Sequence, residues 1–497
     1  MTRRPEPLER LRTGIPGVDE IAGGGLPVGR NTIVTGVAGA GKTIFATQFL
    51  AEGIDRFGEP GVFVTLGERP EDLRRNAAAL GYDVAGWERD GRWRFVDAAP
   101  GDEEEVIVGR FDFAGLTARI LAAVGETGAG RVVIDSVSAA FARFPNAVAV
   151  RWAVHGLLNA LKQVGVTALL TAEVGDGELA RLHLDIGEHA ADSIVELGYR
   201  SVGDRRRRTI EVVKLRGGSH RSGAYPFTVR SAGGLAAVPL GGVELTQEVS
   251  QERVSTGDDE LDRMCGGGYF RDSVVLIAGA TGSGKSLLAA SFLVAGLARG
   301  ERALFIGFEE SAGQVRRNLG NWSMDVGDAE QRGALELVCR YPESGAIEEH
   351  LVDIIEWIDV REPQRLVVDS LTALERIAGE QAFREFNMAL TGLVKERRIA
   401  GVYTTATSLF GGGHATEAQA SVLADSIVLL RYLEVAGVLN RTVTVLKMRG
   451  SDHDRRVREL TIDERGLHVL EPVTGGGPVD LHPPPRYPPA SDTPPVP

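Results

Sequence analysis

A glycine-rich loop near the N-terminus reads Gly36-Val37-Ala38-Gly39-Ala40-Gly41-Lys42-Thr43. It follows the apolar run Thr32-Ile33-Val34-Thr35 and precedes residues 44–52, which have helical character. A buried strand, a G-x-x-x-x-G-K-[ST] loop and a helix form the context in which such a loop binds phosphate. Glycines let consecutive N–H groups converge on an anion, and the helix N-terminus adds its dipole. The stretch therefore predicts a nucleotide-binding loop.

A second loop of the same pattern reads Gly279-Ala280-Thr281-Gly282-Ser283-Gly284-Lys285-Ser286 and follows the apolar run 274–278. Two complete loops in matching contexts predict two nucleoside triphosphate sites. In each loop we expect the lysine to reach the β- and γ-phosphates. We expect the hydroxyl of Thr43 or Ser286 to coordinate Mg²⁺.

The two loops belong to a duplication of a whole domain. The segment from Thr13 to Asp19 recurs from Thr256 to Asp262, at the same separation of 243 positions as the loops. A repeat of this length is long enough for each copy to form a domain with its own hydrophobic core. We expect a first domain at residues 1–240, a linker at 241–254, a second domain at 255–473 and a proline-rich disordered tail at 474–497.

Composition narrows the class of protein. The chain has 497 residues, 43% of them hydrophobic and 25% charged, with a formal net charge of −13. These values are ordinary for a globular protein of two or three domains and do not indicate a general DNA binder. Cys265 and Cys339 are too few for a disulfide framework. No apolar run is long enough to span a bilayer, so we expect a cytoplasmic protein without a membrane partner.

Apolar strands alternate with helical segments in both copies. This alternation predicts an α/β fold, a mostly parallel sheet with helices on both faces. One apolar strand ends in Asp135 in the first copy, and its counterpart ends in Asp369 in the second. P-loop enzymes hold Mg²⁺ through such an aspartate, directly or through water. The alternative is a strand that happens to end at a turn aspartate.

Acidic residues also follow the second strand of each copy. The second copy carries Glu309 and Glu310 there, whereas the first carries Gly67 and Glu68. A carboxylate at this place can polarise the water or hydroxyl that attacks the γ-phosphate. The alternative is that these acids only favour a helix N-terminus through its dipole.

A late strand of each copy ends in the pattern K-x-R-G, at Lys214–Gly217 and at Lys447–Gly450. Alternate residues of a strand point the same way, and two fixed cations repel each other. An anion between them is therefore expected, and a phosphate contacted across a subunit boundary would make the cations trans-acting. A solvated edge strand is the alternative, and the run Arg205–Arg208 reads as a charged hairpin edge.

Together, the two P-loops, the Glu309–Glu310 pair and the K-[LM]-R-G strands resemble the KaiC family of RecA-like ATPases, over roughly residues 10–470. The resemblance implies two tandem RecA-like P-loop NTPase domains in a homohexameric double ring, with ATP bound between neighbouring subunits. It implies an ATPase in the first domain and an ATPase, autokinase and autophosphatase in the second. It leaves KaiB-like proteins and response-regulator or histidine-kinase partners open.

The resemblance also implies roles for individual residues. The implied contacts to ATP from the loops are Gly39, Ala40, Gly41, Lys42, Thr43, Ile44, Thr281, Gly282, Ser283, Gly284, Lys285, Ser286 and Leu287, with Trp322 beside the adenine and Arg441. The implied contacts from the adjacent subunit are Lys214, Leu215, Arg216, His220, Lys447, Met448, Arg449 and His453. The implied Mg²⁺ residues are Thr43, Asp135, Ser286, Glu309 and Asp369. Glu309 resembles the base that activates the acceptor hydroxyl, and Glu68 and Glu310 are further catalytic candidates.

The segment from Thr416 to Asp425 resembles the family's phosphoacceptor stretch. Ser421 matches an acceptor serine, but Val422 stands where the clock proteins carry a threonine. A valine cannot accept phosphate, so Ser421 is the acceptor that the sequence predicts. The proline-rich tail also departs from the family's activator-binding segment.

The leading hypothesis is a ring that binds ATP and Mg²⁺, hydrolyses ATP and autophosphorylates on serine. A DNA-dependent RecA-like or helicase-like motor would need a basic stripe, for which the acidic composition offers no clear candidate. The third hypothesis is a nucleotide-gated scaffold without kinase activity. Phosphate incorporation separates the first from the third, and salt-dependent DNA binding would identify the second.

Overall fold

The structure is a computed structural model that describes residues 8–98, 113–138, 147–174, 191–202, 205–239, 250–406, 424–435 and 438–473. The chain divides into two compact units, Met1–Leu240 and Gly241–Pro497. The described residues of each unit form a nine-stranded sheet and a two-stranded ribbon. Helices flank both sheets, so the predicted α/β fold is confirmed.

In the first unit, six neighbouring strands are parallel: the P-loop strand, the four strands on one side of it and the next strand on its other side. The remaining three pair antiparallel. Its strands are β1 (Arg10–Leu11), β2 (Leu26–Pro27), β3 (Asn31–Gly36), β4 (Gly61–Thr65), β5 (Trp93–Asp97), β6 (Arg131–Asp135), β7 (Thr167–Glu173), β8 (Ser193–Val202), β9 (Arg205–Leu215), β10 (Tyr225–Arg230) and β11 (Gly234–Ala237). Its helices are α1 (Val18–Ile21), α2 (Lys42–Phe57), α3 (Pro70–Ala79), α4 (Val84–Arg89), α5 (Phe113–Thr127) and α6 (Ala147–Gln163). The strand order is β11-β10-β9-β8-β3-β7-β6-β4-β5.

The second unit repeats this plan. Its strands are β12 (Arg253–Val254), β13 (Tyr269–Phe270), β14 (Val274–Gly279), β15 (Ala303–Gly307), β16 (Leu335–Cys339), β17 (Arg365–Asp369), β18 (Ala400–Ala406), β19 (Ser426–Val435), β20 (Val438–Met448), β21 (Arg458–Asp463) and β22 (Gly466–Pro472). Its helices are α7 (Asp259–Met264), α8 (Lys285–Leu297), α9 (Ala312–Asn321), α10 (Gly327–Gln331), α11 (Ile347–Arg361), α12 (Leu371–Ile377) and α13 (Glu380–Glu396), with a 3-10 turn at Pro342–Ser344. The strand order is β16-β15-β17-β18-β14-β19-β20-β21-β22.

The predicted linker and tail lie largely outside the described residues. Residues 253 and 254, which the sequence placed in the linker, form β12 and pair with β13. The Arg253 side chain fixes this ribbon, because it donates to the Gly268 carbonyl at 2.8 Å and stacks on the Phe270 ring. The ribbon therefore belongs to the second unit.

A buried arginine ties the aspartate-bearing strand to the P-loop helix in each unit. Arg131, at the start of β6, donates to the Phe49 carbonyl of α2 at 2.9 Å and to Glu59 at 2.6 Å. Arg365, at the start of β17, donates to the Phe292 carbonyl of α8 at 2.6 Å. Because a buried guanidinium needs hydrogen-bond acceptors, these contacts hold the strand in a fixed position relative to the helix.

Candidate functional site

Both predicted loops form the turn between a central strand and the following helix. The last glycines of the loops, Gly41 and Gly284, have φ of 107° and 104° at the N-caps of α2 and α8. A side chain with a Cβ rarely adopts this conformation, which explains why the pattern requires glycine there. The loop N–H groups and the helix dipole favour an anion at this place.

The two loop lysines adopt the same conformation. The Lys42 Nζ donates to the carbonyls of Gly36 at 2.8 Å and Val37 at 3.0 Å. The Lys285 Nζ makes the matching contacts with Gly279 at 2.8 Å and Ala280 at 3.0 Å. Burial lowers the pKa of both ammonium groups. A phosphate bound in the loop would offset this effect, because a nearby anion favours the charged form of lysine.

In both units the strand-end aspartate accepts hydrogen bonds from two hydroxyls. The Thr43 Oγ1 donates to Asp135 Oδ2 at 2.8 Å, and Thr171 donates to Oδ1 of the same carboxylate. Asp369 is bound in the same way, by the hydroxyls of Ser286 and Thr404. Burial raises the pKa of both carboxyls.

The donor set suits a nucleotide-bound Mg²⁺. The described residues contain no group of three or more His, Cys, Asp or Glu side chains arranged to hold a metal. Mg²⁺ in phosphate-transfer sites is typically held by one or two carboxylates, with phosphate oxygens and water as its other ligands. One buried aspartate beside a loop hydroxyl fits that mode of binding better than an all-protein cage.

Backbone hydrogen bonds identify which acid the first unit lacks. The Leu66 N–H donates to the Asp135 carbonyl at 2.8 Å, and the Phe308 N–H donates to the Asp369 carbonyl at 2.7 Å. Leu66 and Phe308 are therefore equivalent positions. It follows that Gly67 stands in the place of Glu309, and that Glu68 is the counterpart of Glu310.

The three remaining acids have different surroundings. Burial raises the pKa of the Glu68 carboxyl, and the neighbouring charges of Asp135 and Asp72 add to the shift. Glu309 Oε1 accepts hydrogen bonds from Ser370 Oγ at 2.9 Å and from an Arg376 nitrogen at 3.3 Å. Glu310 Oε2 accepts one from Asn318 at 3.0 Å. The two adjacent acids of the second unit thus have separate partners.

A cavity of about 830 Å³ lies at the carboxyl ends of the parallel strands in the second unit. This volume lies within the range of small-molecule sites. The cavity brings together the predicted residues Thr281, Gly282, Gly284, Lys285, Ser286, Leu287, Glu309, Glu310, Trp322, Asp369 and Arg441. Ser283, another predicted contact, is not in its lining and is buried.

A residue that the sequence reading missed is Arg208. Tyr199 pairs with Arg208 between β8 and β9, in the same register in which Tyr432 pairs with Arg441 between β19 and β20. Each arginine stacks on its tyrosine, at 4.6 Å in the first unit and 5.8 Å in the second. Both lie six positions before the K-x-R-G lysine, a spacing that would have identified Arg208.

The K-x-R-G cations lie at the amino-terminal end of the parallel strands, whereas the P-loop of the same unit lies at their carboxyl-terminal end. In β8, Ser193 pairs with both Thr32 of β3 and Leu215 of β9, whereas Leu197 pairs with Gly36. Lys214 and Arg216 therefore lie near the start of β3, and the P-loop follows its end. The four-residue step along the strand from Ser193 to Leu197 spans about 13 Å.

The second unit has the same arrangement. Ser426 of β19 pairs with Val275 and Met448, whereas Leu430 pairs with Gly279. The Lys447 Nζ donates to the Ala424 carbonyl at 2.8 Å, as Lys214 does to Ala191 at 2.9 Å. The predicted residues His220 and His453 follow these strands in the chain.

The predicted acceptor Ser421 lies outside the described residues, together with Thr416 and Val422. The chain is described again from Ala424. Asp425 is fixed there, because it accepts hydrogen bonds from Lys395 at 2.9 Å and from the Val274 N–H at 3.0 Å.

A parallel sheet with a P-loop after its central strand, and a hydroxyl-bound aspartate two strands away, defines a RecA-like P-loop NTPase. The chain contains two such domains. The model of the family described as "ATPase: KaiC" matches residues 11–240 and 254–474. The chain belongs to the KaiC family, whose members bind ATP and act as ATPases.

Relatives of nearly the same length share more than two fifths of the sequence. Circadian clock protein KaiC3 of Synechocystis sp. is 46% identical over 475 residues, which cover 94% of each chain. Circadian clock oscillator protein KaiC of Picosynechococcus sp. is 44% identical over 467 residues, 93% of this chain and 90% of the relative. The protein of that name in Synechococcus elongatus is 43% identical, over 93% of this chain and 89% of its own.

Within the ranges that the structure describes, no helix has both the length and the apolar character that crossing a membrane requires.

Proposed function

We propose that this KaiC-family ATPase forms a ring in which each nucleotide lies between two copies of the chain. In this proposal both units hydrolyse ATP, and the second also transfers the γ-phosphate to Ser421. The ring would report its nucleotide and phosphorylation state to other proteins. The observation that carries the proposal is that the K-x-R-G cations lie at the end of the parallel strands opposite the P-loop.

A head-to-tail contact between copies would bring these two ends of the sheet together. When the end that carries the cations in one copy faces the end that carries the P-loop in the next, Lys447 and Arg449 of one chain approach the phosphates bound by the other. Repetition of this heterologous contact closes a ring if the rotation allows it. The resemblance to the family implies six copies in that ring.

Two sets of residues would hold Mg²⁺ with the phosphates, Thr43 with Asp135 and Ser286 with Asp369. When bound, the ion would supply positive charge that offsets the negative charge developing during transfer. Lys42 and Lys285 would add a positive charge of their own next to the phosphates. Burial lowers the pKa of both ammonium groups, and the same partly buried setting would strengthen their interaction with a bound phosphate.

Glu309 is the proposed proton acceptor in the second unit. A water molecule or the Ser421 hydroxyl would lose its proton to this carboxylate while its oxygen bonds to the γ-phosphorus and ADP leaves. In the first unit, water is the proposed nucleophile and Glu68 the remaining acid.

The position of Ser421 in the chain supports transfer between copies. Ser421 precedes Ala424, the residue that binds the Lys447 ammonium, by three residues, which span at most about 11 Å. In this proposal Ser421 therefore serves the nucleotide to which Lys447 of the same chain contributes, which is the one bound by the neighbouring copy.

A mixing experiment tests this arrangement. Chains with Lys285→Ala lack a working P-loop, and chains with Lys447→Ala and Arg449→Ala lack the cations. Each variant alone should phosphorylate Ser421 poorly. In an equal mixture about a quarter of the interfaces pair an intact P-loop with intact cations, so about a quarter of the activity should return.

The readout is the Ser421 phosphopeptide after incubation with Mg-ATP, with native mass spectrometry to confirm that subunits exchange. Mixed assemblies that recover no activity would show that the site is completed within one chain. Normal ATP turnover without any phosphopeptide would favour an ATPase ring without kinase activity.

A further inference from the structure

Ser370 is a helix N-cap residue whose side chain does not cap its helix. It immediately precedes α12 with extended backbone angles, yet the helix receives no hydrogen bond from the serine side chain. A serine at this position normally accepts a hydrogen bond from a backbone N–H of the first turn. The Ser370 hydroxyl instead donates to Glu309 Oε1 at 2.9 Å, and the residue is only 2% exposed.

The same carboxylate oxygen has a second donor from the same helix. Arg376, in the last turn of α12, reaches Glu309 Oε1 at 3.3 Å. No other side chain among the described residues donates to Glu309, so both donors act on Oε1 and Oε2 is left open. All three residues line the cavity that contains Lys285.

The first unit shows what remains when the acid is missing. Ser136 follows Asp135 as Ser370 follows Asp369. Gly67 occupies the position of Glu309, so this serine has no carboxylate at the equivalent place. The duplicated domain therefore supplies a matched pair of serines, one with the acid and one without it.

We propose that Ser370 is a positioning residue for phosphate transfer, which it supports by fixing Oε1 of Glu309 with the help of Arg376. Oε2 then faces the nucleophile above the γ-phosphate and takes its proton as the new P–O bond forms and ADP departs. This inference rests on the proposed role of Glu309. A glutamate without these donors rotates among several conformers, and only some of them reach the nucleophile.

A double-mutant cycle tests the inference in the full chain. The variants are Glu309→Ala, Ser370→Ala and the double substitution, each measured for phosphate release and Ser421 phosphorylation over a range of Mg-ATP concentrations. We expect Glu309→Ala to lower kcat of the second unit about 10²-fold. Ser370→Ala should lower that kcat about tenfold with KM unchanged, and the double variant should match Glu309→Ala alone, because Ser370 acts only through the acid.

Two further variants separate positioning from a structural role. Ser370→Thr keeps the hydroxyl and should restore most of the rate, whereas Ser136→Ala in the first unit should leave phosphate release unchanged. A further loss from Ser370→Ala in the Glu309→Ala background, or no rescue by threonine, would overturn the positioning role and leave the proposed function intact. A Glu309→Ala variant with full activity would overturn both the proposed base and the inference built on it.

Discussion

The two proposed nucleotide sites of this chain share the same phosphate-binding groups but differ in the acid proposed to act beside the γ-phosphate. Lys42 and Lys285 make the same pair of carbonyl contacts, and both strand-end aspartates accept two hydroxyls. Only the second unit has an acid at the position of Glu309, and that acid has donors of its own. Phosphate binding needs N–H groups and a cation, whereas proton transfer needs an aligned carboxylate. The comparison therefore predicts two sites of similar affinity and unequal chemistry.

The largest effect is expected from loss of a loop lysine. Lys285→Ala should weaken ATP binding to the second unit by about 10²-fold or more, because the phosphates lose a charge-assisted contact in a partly buried site. Lys42→Ala should do the same to the first unit. Calorimetric titration should count one ATP per chain for each variant and two for the parent chain. An unchanged affinity in either variant would contradict the assigned role of that lysine.

A smaller effect is expected where the hydroxyl on the aspartate is removed. Thr404→Val leaves Asp369 Oδ1 without its buried donor, and partners of this kind typically change metal affinity 10- to 100-fold. We expect the Mg²⁺ concentration that half-saturates ADP binding to rise about tenfold. Thr171→Val should give a similar shift in the first unit.

The control for this prediction is Thr405→Val in the same strand. The Thr405 hydroxyl lies 3.2 Å from that of Thr372, and the structure shows no contact between it and Asp369. A shift in Mg²⁺ dependence as large as that of Thr404→Val would mean that repacking of β18, not the lost donor, causes the effect.

The unequal chemistry can be tested by adding the missing acid. Gly67→Glu places a carboxylate in register with Glu309, and Ser136 follows the neighbouring aspartate as Ser370 does in the second unit. In a Lys285→Ala background, which silences the second site, phosphate release should rise several-fold, at the low end of general-base effects of about 10²-fold. Gly67→Gln has the same length without the charge, and an equal gain from it would rule out a role for the added acid.

The smallest effect concerns stability without nucleotide. Burial raises the pKa of Asp369 above its ordinary value of 3.8, so the fold favours the neutral acid. Such a group stabilises the fold fully below its unfolded-state pKa, and this contribution is lost as the pH rises through the folded-state value. Asp369→Asn removes the charge and should stabilise the nucleotide-free protein by about 1 kcal/mol near neutral pH.

Thermal unfolding measured from acid to neutral pH checks the sign. The variant should unfold about 2–4 °C higher at neutral pH, with a gap that closes as the pH falls towards 4. Asp135→Asn should behave alike, since burial raises that pKa too. A gap of constant size across the range would point to a cause other than the charge.

The sequence by itself determined the features that depend on a few consecutive residues. A P-loop needs glycines at fixed places and a lysine beside them, so Gly41, Lys42, Gly284 and Lys285 could be identified directly. The duplication, the α/β alternation and the two strand-end aspartates could also be identified from the sequence, because each appears as a pattern of residue types along the chain. The resemblance that these motifs carried is confirmed by the family match.

Only the tertiary structure decided which of these groups can meet. The hydrogen bond of Leu66 to Asp135 showed that Gly67 replaces the counterpart of Glu309, and strand register placed Arg208 opposite Tyr199. The hydroxyls of Thr171 and Thr404, and the contact of Ser370 with Glu309, join residues far apart in the chain. Strand register put Lys214 and Lys447 at the end of the sheet away from their own P-loops. These relations depend on which strands pair and in what register, which is fixed by burial of the whole sheet and not by any short stretch of sequence.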